Sequence, residues 1–256
     1  MTLPTSRIVG GRPVSIEQFP YQVSIQYGAS HYCGGSLISE SHVLTAAQCT
    51  DGLNIGDLTV IAGTSTLHRG GERRRVIGVN QHPRYGERGQ GDYDVSILTL
   101  RRPFVLGPLV QYISLAGPYS TPFPGTICYV AGWGTTRFDG PLSHQLQLVE
   151  VPIISPAECR GDYGPGSLTD TMLCAGHIGQ DTCQGDVGNP LVCGSTQVGI
   201  ASRATGCGLP RMQIINTFNA NKWLIYGKYM WQFLLYATQF YFDRSSRDLY
   251  GCRESF

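Results

Sequence analysis

A chain of 256 residues with 14% charged residues and a net charge of +1 carries no electrostatic footprint for nucleic acid or a globally acidic partner. Its length suits one large domain or two barrels sharing a core, and 33 glycines with 15 prolines imply many tight turns between short strands. The nine cysteines are scattered, lack paired Cys-x-x-Cys metal spacing and point to an oxidising, extracellular compartment, with one left over.

In chain order, the six residues before Arg7 are too few and too polar for a secretory leader, so an upstream or trimmed start is expected. Residues 21–25, 31–38 and 43–45 read as short alternating or apolar strands. The stretch 58–83 carries Arg69, Arg73, Arg74 and Arg75, which reads either as a solvated strand face or as a site for an anionic partner. Residues 101–125, rich in Pro and Gly, read as a linker, and 145–154 as a further strand. Cys159 and Cys174 bracket a short helix or loop. Towards the end, residues 222–242 are crowded with aromatic side chains, and Tyr226, Met230, Phe233, Ala237 and Phe240 recur at helical spacing. Three readings stand: a helix docked on the second barrel, a frameshifted or read-through tail, and an exposed aromatic binding face. The uncharged run 229–242 is shorter than the roughly 20 residues of a membrane helix, so no membrane span is expected. No Asn-x-Ser/Thr sequon is present.

Several motifs fall in a fixed order. They are Arg7-Ile-Val-Gly-Gly11, Cys33-Gly-Gly-Ser-Leu-Ile38, Leu44-Thr-Ala-Ala-Gln-Cys49, Asp92-Tyr-Asp-Val95, Cys128-Tyr-Val-Ala-Gly-Trp-Gly134 and Asp181-Thr-Cys-Gln-Gly-Asp-Val-Gly-Asn-Pro190. Together they resemble the chymotrypsin/trypsin-like serine proteases from Ile8 to about Arg211. The resemblance implies an all-β fold of two packed antiparallel six-stranded β-barrels with a C-terminal helix. The expected units are an activation remnant at 1–7, an N-terminal barrel at 8–110, a C-terminal barrel at 111–211 and a divergent, aromatic-rich, partly helical tail at 212–256. It further implies cleavage after Arg7, which frees an ammonium on Ile8 to pair with Asp186 and order the specificity pocket. Asp181 takes the place of the pocket-base carboxylate that reads Arg or Lys. Ser202 is kept on the pocket wall, while Arg203, Ala204 and Ile214 stand where Trp, Gly and Gly are usual. The methyl group of Ala204 intrudes where a substrate backbone should come close, and Arg203 is placed to reach Asp181. Four disulfides are implied, Cys33–Cys49, Cys128–Cys193, Cys159–Cys174 and Cys183–Cys207, leaving Cys252 unpaired. Where trypsins carry a calcium loop, Thr64 replaces the first acid, and Glu72 alone is no hard-cation site, so no metal and no cofactor is expected.

The chemistry of the family is missing. Val187 stands at the nucleophile position and carries no Oγ. Gln48 stands at the general-base position, and a carboxamide does not titrate near neutrality. Asp94 keeps the triad carboxylate without a histidine to orient. It is expected to serve as a structural acceptor for the Gln48 amide, because a buried carboxylate without donors is costly. The backbone N–H groups of Gly185 and Val187 are the expected remnant of the oxyanion hole. None of His31, His42, His68, His82, His144 and His177 lies in the base's motif. Loss of both Ser and His, with Asp94 and the bridges kept, resembles the inactivated serine protease paralogues of the scabies mite, kin of the group 3 mite allergens. That resemblance implies a secreted, monomeric, non-catalytic protein. Its field would be the gut lumen, and its partners proteins such as host complement components or host proteases. The alternatives are residual trypsin-like endopeptidase activity, a drifting duplicate without selected function, and decoy binding through the old cleft. Ala204 and Ile214 count against the decoy.

Overall fold

Two β-systems meet face to face, and polar side chains that cross between them set the geometry of the cleft. The computed structural model describes residues 11–89, 91–117, 120–135, 140–164, 166, 168–176, 185–203 and 214–217. Arg7, Ile8, Asp181, Cys183, Ala204, Cys207, Cys252 and the aromatic tail lie outside the described residues, as does the expected C-terminal helix.

The first strand, β1 (Arg12–Pro13), runs antiparallel to Gln147–Leu148. The first barrel follows with β2 (Gln22–Tyr27), β3 (Ser30–Ser39), β4 (His42–Thr45), β5 (Leu58–Ala62), β6 (Glu72–Gln81) and β7 (Ser96–Leu100). These close in the order β2-β3-β4-β7-β6-β5, which leaves no free sheet edge. Val23, Ile25, Leu37, Leu44, Val60 and Leu98 fill the interior. The period-2 alternation of strands puts them inward while their neighbours face out.

In the second half come β8 (Ser114–Leu115), β9 (Ile127–Gly132), β10 (Gln147–Ile154), β11 (Met172–Ala175), β12 (Pro190–Cys193), β13 (Thr196–Arg203) and β14 (Ile214–Thr217). The order is β10-β11-β14-β13-β12-β9, and β9 returns to pair with β10, so six strands form a ring. β1 adds to β10, and β8 runs parallel to β13. A separate apolar cluster, including Val14, Leu67, Trp133 and Leu146, lies between the two systems. There Trp133 Nε1 donates to the Ser65 carbonyl at 3.1 Å.

One helix is described, α1 (Pro156–Tyr163). Ser155 caps it by accepting the Glu158 N–H at 3.2 Å, and Pro156 supplies a pre-set φ at the first position. Cys159 sits inside this helix rather than ahead of it and is bonded to Cys174 in β11, which hangs the helix on the second sheet. Among the described residues, two further disulfides join Cys33 to Cys49 and Cys128 to Cys193. Such bridges contribute roughly 2–4 kcal/mol each. Among the described residues no helix is long and apolar enough to cross a membrane.

A buried carboxylate ties the two halves together. Asp92 is fully buried, and its Oδ1 accepts from Thr169 Oγ1 at 2.8 Å and Thr171 Oγ1 at 2.7 Å. Its Oδ2 accepts from Arg88 Nε at 3.0 Å, and the same guanidinium reaches Asp170 at 3.0 Å and the Tyr93 hydroxyl at 2.9 Å. Tyr93 adopts a left-handed backbone (φ 51) and stacks on His82 with ring centres 4.5 Å apart. Burial alone would raise the Asp92 carboxyl; the hydrogen bonds from Thr171, Thr169 and Arg88 outweigh it and hold the group below its ordinary value. Burial depresses His31 and His42, and burial beside Arg84 lowers His82 to about 4.

Both shifts act on the acid side. The unfolded chain takes up protons on its histidines near pH 6.5, before the folded chain does, so stability falls as pH drops below about 6.5. Asp92 contributes stability above the unfolded carboxylate value of about 3.9, and that contribution is lost as pH falls through its lower folded value. Asp92→Ala is expected to cost about 2–4 kcal/mol at neutral pH. It should also flatten the stability profile below about pH 4 while leaving the histidine-linked decline above it, as read by urea unfolding across pH.

Candidate functional site

The junction of the two halves gathers residues from three segments. A single 3-10 turn, Ala47–Cys49, follows β4 and carries Gln48, and the Cys33–Cys49 bond pins that turn to β3. Asp94 lies two positions before β7. Ser202 lies near the end of β13. The Gln48 backbone N–H donates to Asp94 Oδ1 at 2.8 Å, and its side-chain Nε2 donates to Asp94 Oδ2 at 2.6 Å. The same Nε2 donates to the Ser202 carbonyl at 2.6 Å. Ser202 Oγ in turn donates to Asp94 Oδ2 at 2.6 Å. Asp94 is fully buried, and burial pushes its carboxyl up, an effect that the donors from Ser202 and Gln48 offset only in part.

Val187 sits beside this junction on the turn between Gly185 and Gly188. Both glycines take the left-handed conformation, with φ 89 and 88. At Gly188 a Cβ would overlap the Gly34 carbonyl and the Thr45 hydroxyl, so a side chain there has no room. The Gly188 N–H donates to the Ala201 carbonyl at 2.7 Å, and the Val187 carbonyl accepts from Gly34 N–H at 2.8 Å. The half-buried Val187 side chain packs on the core of the first barrel. Neither the Gly185 nor the Val187 N–H has an acceptor among the described residues.

A second buried carboxylate, Asp186, lies behind the turn. Its Oδ1 accepts the Gly134 N–H and Asn189 Nδ2, each at 2.9 Å. Asn189 is fully buried, and its Oδ1 accepts Gln22 Nε2 at 2.6 Å. Gly34 leaves room for the Asn189 carboxamide, and Gly134 leaves room for the Asp186 carboxylate. Next to them His31 bridges Ser24 Oγ (2.8 Å, through Nδ1) and the Gly185 carbonyl (2.9 Å, through Nε2). The Nε2 contact to a carbonyl makes that nitrogen the protonated one.

A sequence model described as Trypsin matches residues 8–224. The chain belongs to the trypsin family. It is 38% identical over 204 residues to trypsin delta of Drosophila erecta, covering 78% of this chain and 79% of that protein. It is 41% identical over 207 residues to hypodermin-B of Hypoderma lineatum, covering 80% of each. It is 40% identical over 207 residues to trypsin 5G1 of Aedes aegypti, covering 79% and 77%. The family match runs past Arg211, where the motifs fade, and takes in β14, which pairs with β11 and β13. Backbone pairing continues there although Gln213-Ile-Ile-Asn216 departs from the family's usual Pro-Gly-Val-Tyr.

The structure brings Gln48, Asp94, Ser202, Gly185, Asp186 and Val187 into one region. Ile214 opens β14, across from Ala175. Arg203 has its guanidinium 5.8 Å from the Tyr163 ring centre. Its expected contact to Asp181, the Ile8–Asp186 pair and the Cys183–Cys207 bridge lie outside the described residues, as does Ala204. In the loop where trypsins can hold calcium, Thr64 Oγ1 lies 2.7 Å from the Arg69 carbonyl, to which it donates its one hydrogen, and 3.2 Å from the Thr66 carbonyl.

Sequence reasoning placed the Gln48 amide on Asp94 but missed its second acceptor, the Ser202 carbonyl. It also passed over Asn189, although an amide in a motif that carries glycine at that point is itself a signal of a new buried hydrogen bond. Asn189→Gly is expected to destabilise the fold by about 2–4 kcal/mol, since it removes a charge-assisted bond to Asp186 and the acceptor of Gln22 and opens a void. Asn189→Asp places a second carboxylate beside Asp186, so one of the pair must hold a proton. Its stability should then fall as pH rises above about 3.9, the reverse of the parent chain, in denaturant unfolding at a series of pH values.

Proposed function

We propose that this trypsin-family chain is a secreted, proteolytically inactive homologue that works by binding protein partners, with host complement or host protease cascades as its field of action. The observation that carries the reading is the commitment of Gln48. Its amide nitrogen has two hydrogens, and they go to Asp94 Oδ2 and the Ser202 carbonyl, both at 2.6 Å. A general base at this position must instead present a lone pair to a hydroxyl. The Gln48 nitrogen has no lone pair to give, its carboxamide oxygen is not a base near neutrality, and Val187 offers no hydroxyl to activate.

Magnitudes decide against residual chemistry. In a serine protease of another fold, removing the nucleophile alone costs on the order of 10⁶-fold in turnover, which is about 8 kcal/mol of barrier. An oxyanion hole formed by the Gly185 and Val187 N–H groups leaves only about 10³–10⁴-fold over water. The disulfides support a secreted location. The assignment to complement rests on the resemblance of the doubly substituted triad to the scabies mite paralogues.

After cleavage at Arg7, the chain is expected to show no hydrolysis of Arg or Lys amide substrates above a buffer blank. Val187→Ser alone should remain inert, because Gln48 still cannot take its proton. Turnover by the unsubstituted chain that a covalent serine reagent abolishes would overturn the reading. Lysis of sensitised red cells by serum tests the narrower claim: the purified chain should reduce it, and undiminished lysis removes complement as the target.

A further inference from the structure

On β6 the strand period separates the basic side chains into two sets. Arg74 is half-buried. It pairs with Glu72 at 2.6 Å, donates to the Pro103 carbonyl at 3.1 Å and lies 4.5 Å from the Phe104 ring centre, so its charge belongs to the fold. Arg73 and Arg75 point outward and are exposed. Arg73 donates to the neutral Thr59 hydroxyl at 3.0 Å, across the sheet. Arg101 and Arg102 extend the same surface: the Arg101 N–H donates to the Arg75 carbonyl at 2.9 Å, and both side chains are exposed. Among the described residues none of these four forms an ion pair, although the chain as a whole is nearly neutral. Further along β6, Ile77 follows Arg73 and Arg75 on the same outward face, at a register shift between Val76 and Gly78, and is 58% exposed.

We propose that this stripe, Arg73, Arg75 and Ile77 with Arg101 and Arg102 alongside, docks an acidic protein segment that carries an apolar residue next to its carboxylates. The proposal rests on the reading of the chain as a protein that works by binding. At about 3.3 Å per strand residue, Arg73 and Ile77 are about 13 Å apart, the reach of a short extended peptide. Every cation here is arginine, whose planar fork suits bidentate carboxylates. Ile77 is what favours a peptide over a sulfated glycan, since a wholly anionic polymer has no group to bury against it. β6 pairs with β5 and β7 on its two sides, so recognition is by side chains and not by strand addition.

The test uses the full chain and two fluorescein-labelled peptides, one of alternating glutamates with a leucine at one end and one with that leucine replaced by serine, with heparin as a third probe. Binding of the leucine peptide should weaken at least tenfold between about 50 and 300 mM salt, as screening predicts. Arg73→Glu with Arg75→Glu should weaken it at least tenfold. Ile77→Ser should weaken the leucine peptide several-fold and leave the serine peptide unchanged. Should the strand variants fail to fold, Arg101→Glu with Arg102→Glu, outside any strand, carries the same expectation. Equal affinity for the charge-reversed chain, or no effect of Ile77→Ser, overturns the proposal, and so does binding of heparin alone. Peptide-bond hydrolysis by the chain would sink the proposed function and leave this surface standing. Absent peptide binding in a chain without turnover would sink this surface alone.

Discussion

A carboxylate out of water must be met by donors, and Asp94 is met from both halves of the molecule. Gln48 comes from the turn after β4 and Ser202 from β13, so the acid acts as a clasp across the barrel junction. In an active protease the corresponding carboxylate steadies a histidine that cycles through a charged state. A carboxamide gives the same acid a donor that never titrates. Gln48 thereby keeps the electrostatic demand of the interior satisfied while removing the base. An aliphatic replacement would have removed the base as well, but it would have left Asp94 short of a donor in a site where burial already raises its carboxyl.

The same device recurs behind the turn. Asp186 receives the Asn189 carboxamide, which in turn holds Gln22 of β2. The network fits because Gly34 and Gly134 carry no Cβ where these groups pass. Val187, next to Asp186 in the chain, packs its side chain against the first-barrel core. A carboxamide thus donates to each of Asp94 and Asp186, and the surrounding strands and the three described disulfides hold the framework around them. This combination satisfies the buried acids of the framework and is compatible with the proposed non-catalytic role.

Much of this was legible in the sequence, and the limit had a physical cause. The strands of the first barrel, the three described disulfides and the donor from Gln48 to Asp94 follow from motifs whose members are close in sequence or fixed by family pattern. The Asp92 clasp was not legible. Its threonine donors are 77 and 79 positions away, and nothing local marks either partner. Asn189 and Gln22 are separated by 167 positions. The arginine run was visible, but a run of consecutive charges does not say which ones face out. Only the strand register assigns Arg74 to Phe104 and Glu72, and leaves Arg73 and Arg75 in solvent.

That register also bears on where binding takes place. The Gly185 and Val187 N–H groups have no acceptor among the described residues, but around Asp94 both Gln48 amide hydrogens, the Ser202 hydroxyl and the carboxylate already have internal partners. A ligand entering there would have to break contacts that hold the two halves together, at a cost of roughly 1–3 kcal/mol for each buried group left unsatisfied. The outer face of β6 presents the opposite case. Its arginines are exposed, so a partner need only displace water from them. Ile77 supplies apolar area that the fold itself does not bury. Under the proposed binding role, the outside of the barrel is therefore a less costly place for a partner to dock than the hydrogen-bonded surroundings of Asp94.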